Sequence, residues 1–236
     1  MIPLYDDNPT TIRPVVTGAF IALCVVVFLW QVSLPEQATF AATFGYGAIP
    51  AVIFGHVALP PGLETVPPLA TLVTSMFLHG GWMHIIGNML YLWVFGNNVE
   101  DSMGHGRFAV FYIVCGIIAA LAHALQDVQS TVPMIGASGA VSGVLGAYLL
   151  LFPRARILVL VWLGFFITTV RVPAMVVLGF WIVLQFINLG LAAAAGDPGG
   201  VAWMAHVGGF AAGMILLPFF KKRHVPLFRG RSGPWG

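Results

Sequence analysis

Long apolar runs limit how this chain can fold more than any other feature of its sequence. An α-helix needs about 20 predominantly apolar residues to cross the hydrocarbon core of a bilayer, and the six longest runs contain 15 to 20 residues each. Charged residues make up only 8% of the chain, whereas an ordinary soluble domain is about 25% charged. We therefore predict a polytopic membrane protein that lies in the lipid bilayer and binds no nucleic acid. The six runs are Val15–Leu34, Trp82–Asn98, Phe108–Leu125, Ser138–Phe152, Pro173–Ala192 and Ala202–Phe220.

The positions of the basic residues predict the topology. With six spans and a cytoplasmic N-terminus, all ten Lys and Arg residues fall on the cytoplasmic side, as the positive-inside rule requires. A seventh apolar stretch, Ile157–Val170, has only 14 residues, a length more typical of interfacial or re-entrant segments. Counting it as a span would place the basic C-terminal tail outside. The sequence thus predicts an all-α bundle of six transmembrane helices, multi-pass in the cell membrane, with both termini cytoplasmic.

This topology divides the chain into three parts. Residues 1–14 form a cytoplasmic N-terminal segment, residues 15–220 form the six-helix domain, and residues 221–236 form a basic cytoplasmic tail that we expect to be disordered. The first connection, from Pro35 to Gly81, is far longer than the others. Because a structureless loop of that length is unusual, we expect it to contain short helices that lie on the outer leaflet.

Four polar side chains interrupt the apolar runs at what we predict to be one depth of the membrane. His84 and Asn88 lie four residues apart on the second run, Ser138 opens the fourth run, and His206 lies near the start of the sixth. Spans two, four and six all run from outside to inside, so these residues fall within about two helical turns of the outer surface. Polar groups at such positions are costly and are functional candidates.

These residue types fit nucleophilic catalysis. A serine hydroxyl is a weak nucleophile that needs an adjacent base, and His206 is the natural base for Ser138. His84, Asn88 and the backbone N–H of Ser138 can donate hydrogen bonds to the oxyanion that forms when an amide is hydrolysed. The fourth run is only 15 residues long, about 22 Å of helix in a core of about 30 Å. We therefore expect Ser138 to lie below the outer surface.

Three sequence runs, in this order and on these spans, resemble the rhomboid intramembrane serine proteases. The resemblance extends from the first span to the sixth. The runs are His79-Gly80-Gly81-Trp82-Met83-His84-Ile85-Ile86-Gly87-Asn88, Gly136-Ala137-Ser138-Gly139 and Ala205-His206-Val207-Gly208-Gly209-Phe210-Ala211-Ala212-Gly213. Small residues at these spacings also predict that the fourth and sixth spans pack closely.

The resemblance implies an intramembrane serine endopeptidase with Ser138 as nucleophile and His206 as base, in a dyad without an acid. It implies that His84, Asn88 and the Ser138 amide form the oxyanion hole. Its substrates would be membrane-anchored proteins, cleaved near the outer face of their transmembrane segments after a small residue. Two features depart from the family: the first loop lacks a Trp-Arg pair, and Ser142 replaces an aromatic residue that stacks on the base in some members.

Other functions fit parts of the pattern. A metalloprotease could use the histidines on the outer side, but the chain has no His-Glu-x-x-His run and no carboxylate within the apolar runs. A transporter would show two similar halves and paired broken helices, which the sequence lacks. Ser138 and His206 could also serve only packing or interhelical hydrogen bonding, as we expect for Gln185. No pattern indicates a cofactor, a metal, a substrate-binding residue or a particular oligomeric state.

Overall fold

The computed structural model describes residues 2–164, 166–195 and 201–228, and it is mostly helical. Each of the six apolar runs forms one helix whose ends agree with the prediction to within five residues. The largest difference is at the second of these helices, which continues through Glu100 and Asp101 to Met103. The six helices are α1 (Val15–Ser33), α5 (Trp82–Met103), α6 (His105–Ala124), α7 (Ser138–Leu151), α8 (Ala174–Ala195) and α9 (Trp203–Phe220).

The long first connection contains short helices, as predicted. These are α2 (Glu36–Tyr46), α3 (Pro50–Ile53) and α4 (Thr71–Thr74), with 3-10 turns at Pro68–Ala70 and Ser75–Phe77. Proline precedes or opens α2, α3 and the first 3-10 turn, where its fixed φ is compatible with a helix start. The position of these helices on the outer leaflet stays a prediction.

Several helices are long and apolar enough to cross a bilayer. Among the described residues these are α1, α6, α8 and α9, and α5 qualifies when taken together with Pro68–Phe77, from which it is bent by 83°. The remaining helix, α7, is apolar but has only 14 residues. The chain is therefore a polytopic helical membrane protein. The count of six spans stays a prediction, because it depends on a helix shorter than the usual span.

Helix α7 lies at the centre of the bundle. Eleven of its 14 residues are buried, and it packs against α5, α6 and α9. Its contact with α9 is close: a Cβ atom at Gly146 would lie 2.2 Å from the carbonyl oxygen of Phe210, and one at Gly209 would lie 2.1 Å from that of Gly139. The predicted close packing of these two spans is confirmed. It holds the first turn of α7, with Ser138, against the helix that carries His206.

The short apolar stretch between α7 and α8 is a β-hairpin and not a helix. Strand β2 (Arg156–Leu163) pairs antiparallel with β3 (Phe166–Pro173), and the N-terminal strand β1 (Ile2–Asp6) adds to the other edge of β2. The strands are rich in Val, Ile and Thr, which favour the extended conformation. This three-stranded sheet is a departure from the predicted all-α fold.

Asp6 joins the sheet to the helical bundle. Its carboxylate is 2% exposed and accepts hydrogen bonds from the Tyr148 hydroxyl of α7 and from Asn98 Nδ2 of α5, both at 2.7 Å. Burial raises the pKa of the Asp6 carboxyl to about 6; the hydrogen bond from Tyr148 acts in the opposite direction, and the charge of Asp7 adds to the rise. The contact fixes the N-terminal strand to the helix that begins with Ser138.

The chain after α9 packs back against the bundle over residues 221–228. The backbone N–H of Lys222 donates to the carbonyl oxygen of Ser102 at 2.9 Å, and that of Phe228 donates to Leu150 at 2.7 Å. The Lys222 ammonium donates to the carbonyl oxygen of Asp101, and Val225 is buried. This differs from the expectation of a disordered tail beginning at residue 221; residues 229–236 lie outside the described residues.

Candidate active site

Ser138 is the first residue of α7 and follows a tight loop. Gly136 in that loop has φ +123°, a conformation that L side chains rarely adopt, and its N–H donates to the carbonyl oxygen of Ser75 at 2.9 Å. Ser138 is half-buried, and the two residues on either side of it, Ala137 and Gly139, are buried. The loop thus directs a hydroxyl and a helix N-terminus into the interior of the bundle.

The imidazole of His206 lies within hydrogen-bond distance of this hydroxyl. His206 is in the first turns of α9, and its Nε2 is 2.9 Å from Ser138 Oγ. This is the separation expected of a nucleophile and its general base. The sequence predicted that the two residues share a depth, and the structure brings them into contact although they are 68 positions apart in the chain.

The other ring nitrogen of His206 has a partner on α8. Gln185 Oε1 is 2.8 Å from His206 Nδ1, while the Gln185 amide nitrogen donates to the carbonyl oxygen of Trp181 at 3.0 Å. Because the amide oxygen faces the ring, Nδ1 carries the proton and Nε2 is left as an acceptor. The hydroxyl of Ser138 therefore donates to His206, which is the arrangement needed for proton transfer to the base.

His84 and Asn88 lie on one face of α5 and point toward the same site. His84 Nδ1 accepts a hydrogen bond from the N–H of Gly80 at 3.2 Å, so the neutral ring carries its proton on Nε2 and can donate from there. A Cβ atom at Gly136 would lie 2.6 Å from that nitrogen, which shows how closely the ring approaches the loop before Ser138.

Asn88 supplies a second donor to the site. It is 7% exposed, and within the described part of the chain its amide nitrogen is buried without a hydrogen-bond partner. Buried polar groups usually have partners, and an unpaired donor in a reaction site is explained if it binds a group that is present only during the reaction. Asn88 and His84 both line the cavity that contains Ser138 and His206.

This cavity of about 1460 Å³ lies between the helices around α7. Its walls come from α5, α6, α7, α8 and α9, and from the loop of residues 130–136. Polar side chains in an apolar bundle that line an open cavity can meet water. Among the described residues no group of three His, Cys, Asp or Glu side chains is arranged to hold a metal ion.

Three contacts of His206 were not predicted. The sequence indicated Gln185 as an interhelical hydrogen-bond partner, which is confirmed, but gave no sign that its partner is His206. Trp181 and Trp203 flank the imidazole, with ring centroids at 5.9 Å and 6.0 Å. Ser142, at the position where some family members carry an aromatic residue, donates to the carbonyl oxygen of Ser138 at 2.6 Å.

Among the described residues, the hydrogen-bond partners of the His206 ring are Ser138 and Gln185, and neither of them is an acid. Asp127 is exposed, and its carboxylate accepts a hydrogen bond from the N–H of Gln129 at 3.0 Å. Asp197 lies outside the described residues.

One signal in the sequence indicated that Trp181 and Gln185 share a helix face. They lie one helical turn apart on the fifth apolar run.

A comparison with known proteins identifies the family to which the chain belongs. A family model described as "Rhomboid domain" matches residues 68–223, which include Ser138, His206, His84 and Asn88. The match covers more than half of the chain. The chain belongs to the rhomboid family.

Several curated relatives of this rhomboid chain are similar over the same region. It is 36% identical to Rhomboid protease GluP of Bacillus subtilis over 148 residues, 62% of this chain and 26% of GluP. It is 32% identical to RHOMBOID-like protein 4 of Arabidopsis thaliana over 164 residues, 69% of this chain and 37% of the relative. It is 31% identical to the mitochondrial Rhomboid protein 1 of Saccharomyces cerevisiae over 157 residues, 64% of this chain and 42% of the relative. The chain spans about a quarter to two-fifths of the length of these relatives.

Proposed function

We propose that this rhomboid chain is an intramembrane serine endopeptidase in which Ser138 is the nucleophile and His206 the general base. The observation that carries the proposal is the distance of 2.9 Å between Ser138 Oγ and His206 Nε2, with the ring nitrogen held as an acceptor by the bond on its other side. Two relatives that the chain matches, Rhomboid protease GluP and the putative rhomboid protease YdcA of Bacillus subtilis, are named as proteases, which supports the same class of reaction.

The first half of the reaction forms an acyl-enzyme. Ser138 Oγ attacks the carbonyl carbon of the scissile peptide bond while its proton passes to His206 Nε2. The carbonyl oxygen becomes an oxyanion, to which His84 Nε2–H, the Asn88 amide and the Ser138 backbone N–H can donate. The carbon–nitrogen bond then breaks, and His206 gives its proton to the leaving amine. The carboxyl part of the substrate stays bound to Ser138 as an ester.

The second half of the reaction releases this ester. A water molecule in the cavity loses a proton to His206 Nε2 as its oxygen attacks the ester carbonyl, and the same donors stabilise the second oxyanion. When the carbon–oxygen bond to Ser138 breaks, the proton returns from His206 to Ser138 Oγ. The enzyme is restored, and no cofactor takes part in this sequence of steps.

The membrane arrangement that we propose follows from the charges. Six spans with both termini cytoplasmic leave the first turn of α7, and with it Ser138, toward the outer side. The substrates are then transmembrane proteins whose spans enter the cavity from the bilayer and are cut near the outer face. Location in the cell membrane belongs to the same proposal.

The alternative of a metalloprotease has weaker support. Both ring nitrogens of His206 have partners in Ser138 and Gln185, and His84 Nδ1 is bound to the Gly80 N–H. A metal ligand needs a free ring nitrogen aimed at the ion. Three of the four ring nitrogens of these two histidines are instead directed to the backbone, an amide and a hydroxyl.

A serine-directed covalent probe tests the proposal. The purified chain in detergent is treated with a fluorophosphonate, and the modified peptide is identified by mass spectrometry. We expect one adduct, on Ser138, which forms at the same rate in the presence of a metal chelator. An unmodified Ser138, or an adduct only on other residues, would refute its role as nucleophile.

A further inference from the structure

The environment of His206 contains a group that takes no part in the proposed proton transfers. Gln185 is 6% exposed and lies between two fixed partners, with Oε1 2.8 Å from His206 Nδ1 and the amide nitrogen 3.0 Å from the carbonyl oxygen of Trp181. Because the second contact is made within one turn of α8, the amide plane is fixed by its own helix. The oxygen is left free to accept from the imidazole.

We infer that Gln185 is a positioning residue that fixes the tautomer and the orientation of His206, an inference that rests on the proposed function. A neutral imidazole carries one proton, and only the tautomer with the proton on Nδ1 leaves Nε2 free to accept from Ser138. An acceptor oxygen opposite Nδ1 selects that tautomer. The importance of the tautomer is known from catalytic triads. When the orienting aspartate of a triad is replaced by asparagine, the amide nitrogen faces the imidazole, the wrong tautomer is selected, and activity is lost.

The aromatic contacts of His206 support the same role for α8. Trp181, one turn from Gln185, lies with its ring centroid 5.9 Å from that of His206 at an interplanar angle of 38°. The imidazole is therefore held by a hydrogen bond and by a ring contact, both from α8. Ser142 on α7 is too small to provide the ring contact, and its hydroxyl is bonded to the Ser138 carbonyl oxygen.

A carboxamide orients the ring without adding charge to it. When His206 takes the proton of Ser138, it becomes a cation. The dipole of the Gln185 amide then faces this cation at the position where a catalytic triad has a carboxylate. Besides His206, the ionisable side chains of the described residues that line the same cavity are His84 and Tyr91 on α5, His123 at the end of α6, and Asp127 in the following loop. A carboxylate introduced at residue 185 would therefore be the first one, in the part of the chain that the structure describes, in direct contact with the base.

Two variants test whether Gln185 orients His206 through this hydrogen bond or only packs within the bundle. Gln185→Leu removes the acceptor, and Gln185→Glu keeps an acceptor oxygen in a side chain of the same length while adding a negative charge. Asn188→Leu is the matched control, because it changes an amide to leucine on the same helix. The readout is the rate of fluorophosphonate labelling of Ser138 in detergent, measured from pH 5 to pH 9.

We expect Gln185→Leu to label Ser138 about ten- to hundredfold more slowly than the parent, the range for losing a hydrogen bond to a group that becomes charged. Asn188→Leu should label at a rate close to the parent. In Gln185→Glu the fall in rate on acidification should occur at higher pH than in the parent, since a carboxylate at Nδ1 favours the protonated ring, which cannot accept from Ser138.

Labelling of Gln185→Leu at the parental rate would overturn the inference. So would a Gln185→Glu profile with an unchanged acidic limb, because a packing role does not depend on charge. If Gln185→Leu does not fold in detergent, the pH profile of Gln185→Glu decides the question alone. Failure of the parent itself to label at Ser138 is a different result, which would refute the proposed function.

Discussion

Gly143 on α7 and Gly213 on α9 bring the backbones of the two helices into direct contact. A Cβ atom at Gly213 would lie 1.9 Å from the carbonyl oxygen of Gly143 and 2.6 Å from its carbonyl carbon. Both obstacles are backbone atoms, so no side chain can move aside to make room. The distance between the helix that carries Ser138 and the helix that carries His206 is therefore set by glycine.

Gly213→Ala should force α7 and α9 apart. Overpacking of a close contact costs about 1–3 kcal/mol, so we expect a lower midpoint of thermal unfolding in detergent together with a loss of proteolysis. Gly179→Ala on α8 is the control, because no heavy atom of the described residues lies within 4 Å of a Cβ there. Alanine favours a helix by up to about 1 kcal/mol over glycine, so the control should be at least as stable as the parent. A Gly213→Ala variant as stable as this control would contradict the contact.

Gly136→Ala should damage the oxyanion site more than the fold. The change places a side chain 2.6 Å from His84 Nε2 at a residue with φ +123°, so either the donor or the loop before Ser138 must move. Loss of one such donor typically costs about 10²–10³ in kcat, and we expect a fall of that size. Gly62→Ala tests backbone strain alone, since Gly62 has φ +92° but lies in open space among the described residues. Equal losses of activity in the two variants would attribute the effect to strain.

Asn88→Ala should lower kcat about 10²-fold with little change in KM. The unpaired amide nitrogen of Asn88 would meet the oxyanion only as charge develops, so its loss affects the rate and not the binding of substrate. Asn97→Ala removes an amide from the same helix and serves as the control, with steady-state kinetics on one substrate for all three proteins. An unchanged kcat with a raised KM would make Asn88 a substrate-binding residue.

Asp6 should make the fold sensitive to pH. Its carboxyl has a pKa of about 6 in the folded chain against an ordinary value of 3.8. Between these two pH values the folded chain keeps a proton on Asp6 that the unfolded chain has lost. The stability from this group is fully present below about pH 3.8 and is lost as the pH rises through 6. The shift of about two units corresponds to roughly 3 kcal/mol at most.

Asp6→Asn isolates this contribution, because the amide keeps an acceptor oxygen for Tyr148 and Asn98 but does not ionise. At pH 7 we expect the variant to unfold at a higher temperature than the parent, and the difference to shrink as the pH falls to 4.5. A difference that does not change with pH would mean that Asp6 is ionised without penalty in the folded chain.

The helices were predictable because the length and spacing of apolar runs follow directly from the thickness of a bilayer. The predicted depth of Ser138 and His206 comes from the direction of each span, which the charges indicate, and it stays a prediction. The contact between Ser138 and His206 was expected from the family resemblance, which rests on three sequence runs in a fixed order. This expectation did not depend on how each helix is rotated about its axis.

Other features depend on contacts between residues far apart in the chain. Stretch 157–170 is apolar on both faces of its strands, so it shows no alternation that would distinguish a hairpin from an interfacial helix. The bond from Gln185 to His206 depends on how α8 is rotated about its axis. The carboxylate of Glu100 caps α1 through the N–H groups of Val16 and Thr17, at 2.9 Å and 2.8 Å, across more than 80 residues of sequence.

Proteolysis by Ser138→Ala measures the central claim most directly. The parent, Ser138→Ala and Ser142→Ala are reconstituted with a single-span transmembrane substrate, and cleavage rates are compared at equal amounts of folded protein. Removing one oxygen at the start of α7 leaves almost no cavity, so the unfolding midpoint of Ser138→Ala should match that of the parent. We predict that cleavage by Ser138→Ala falls below detection while Ser142→Ala retains most of the parental rate. Cleavage by Ser138→Ala at the parental rate would show that Ser138 is not the nucleophile.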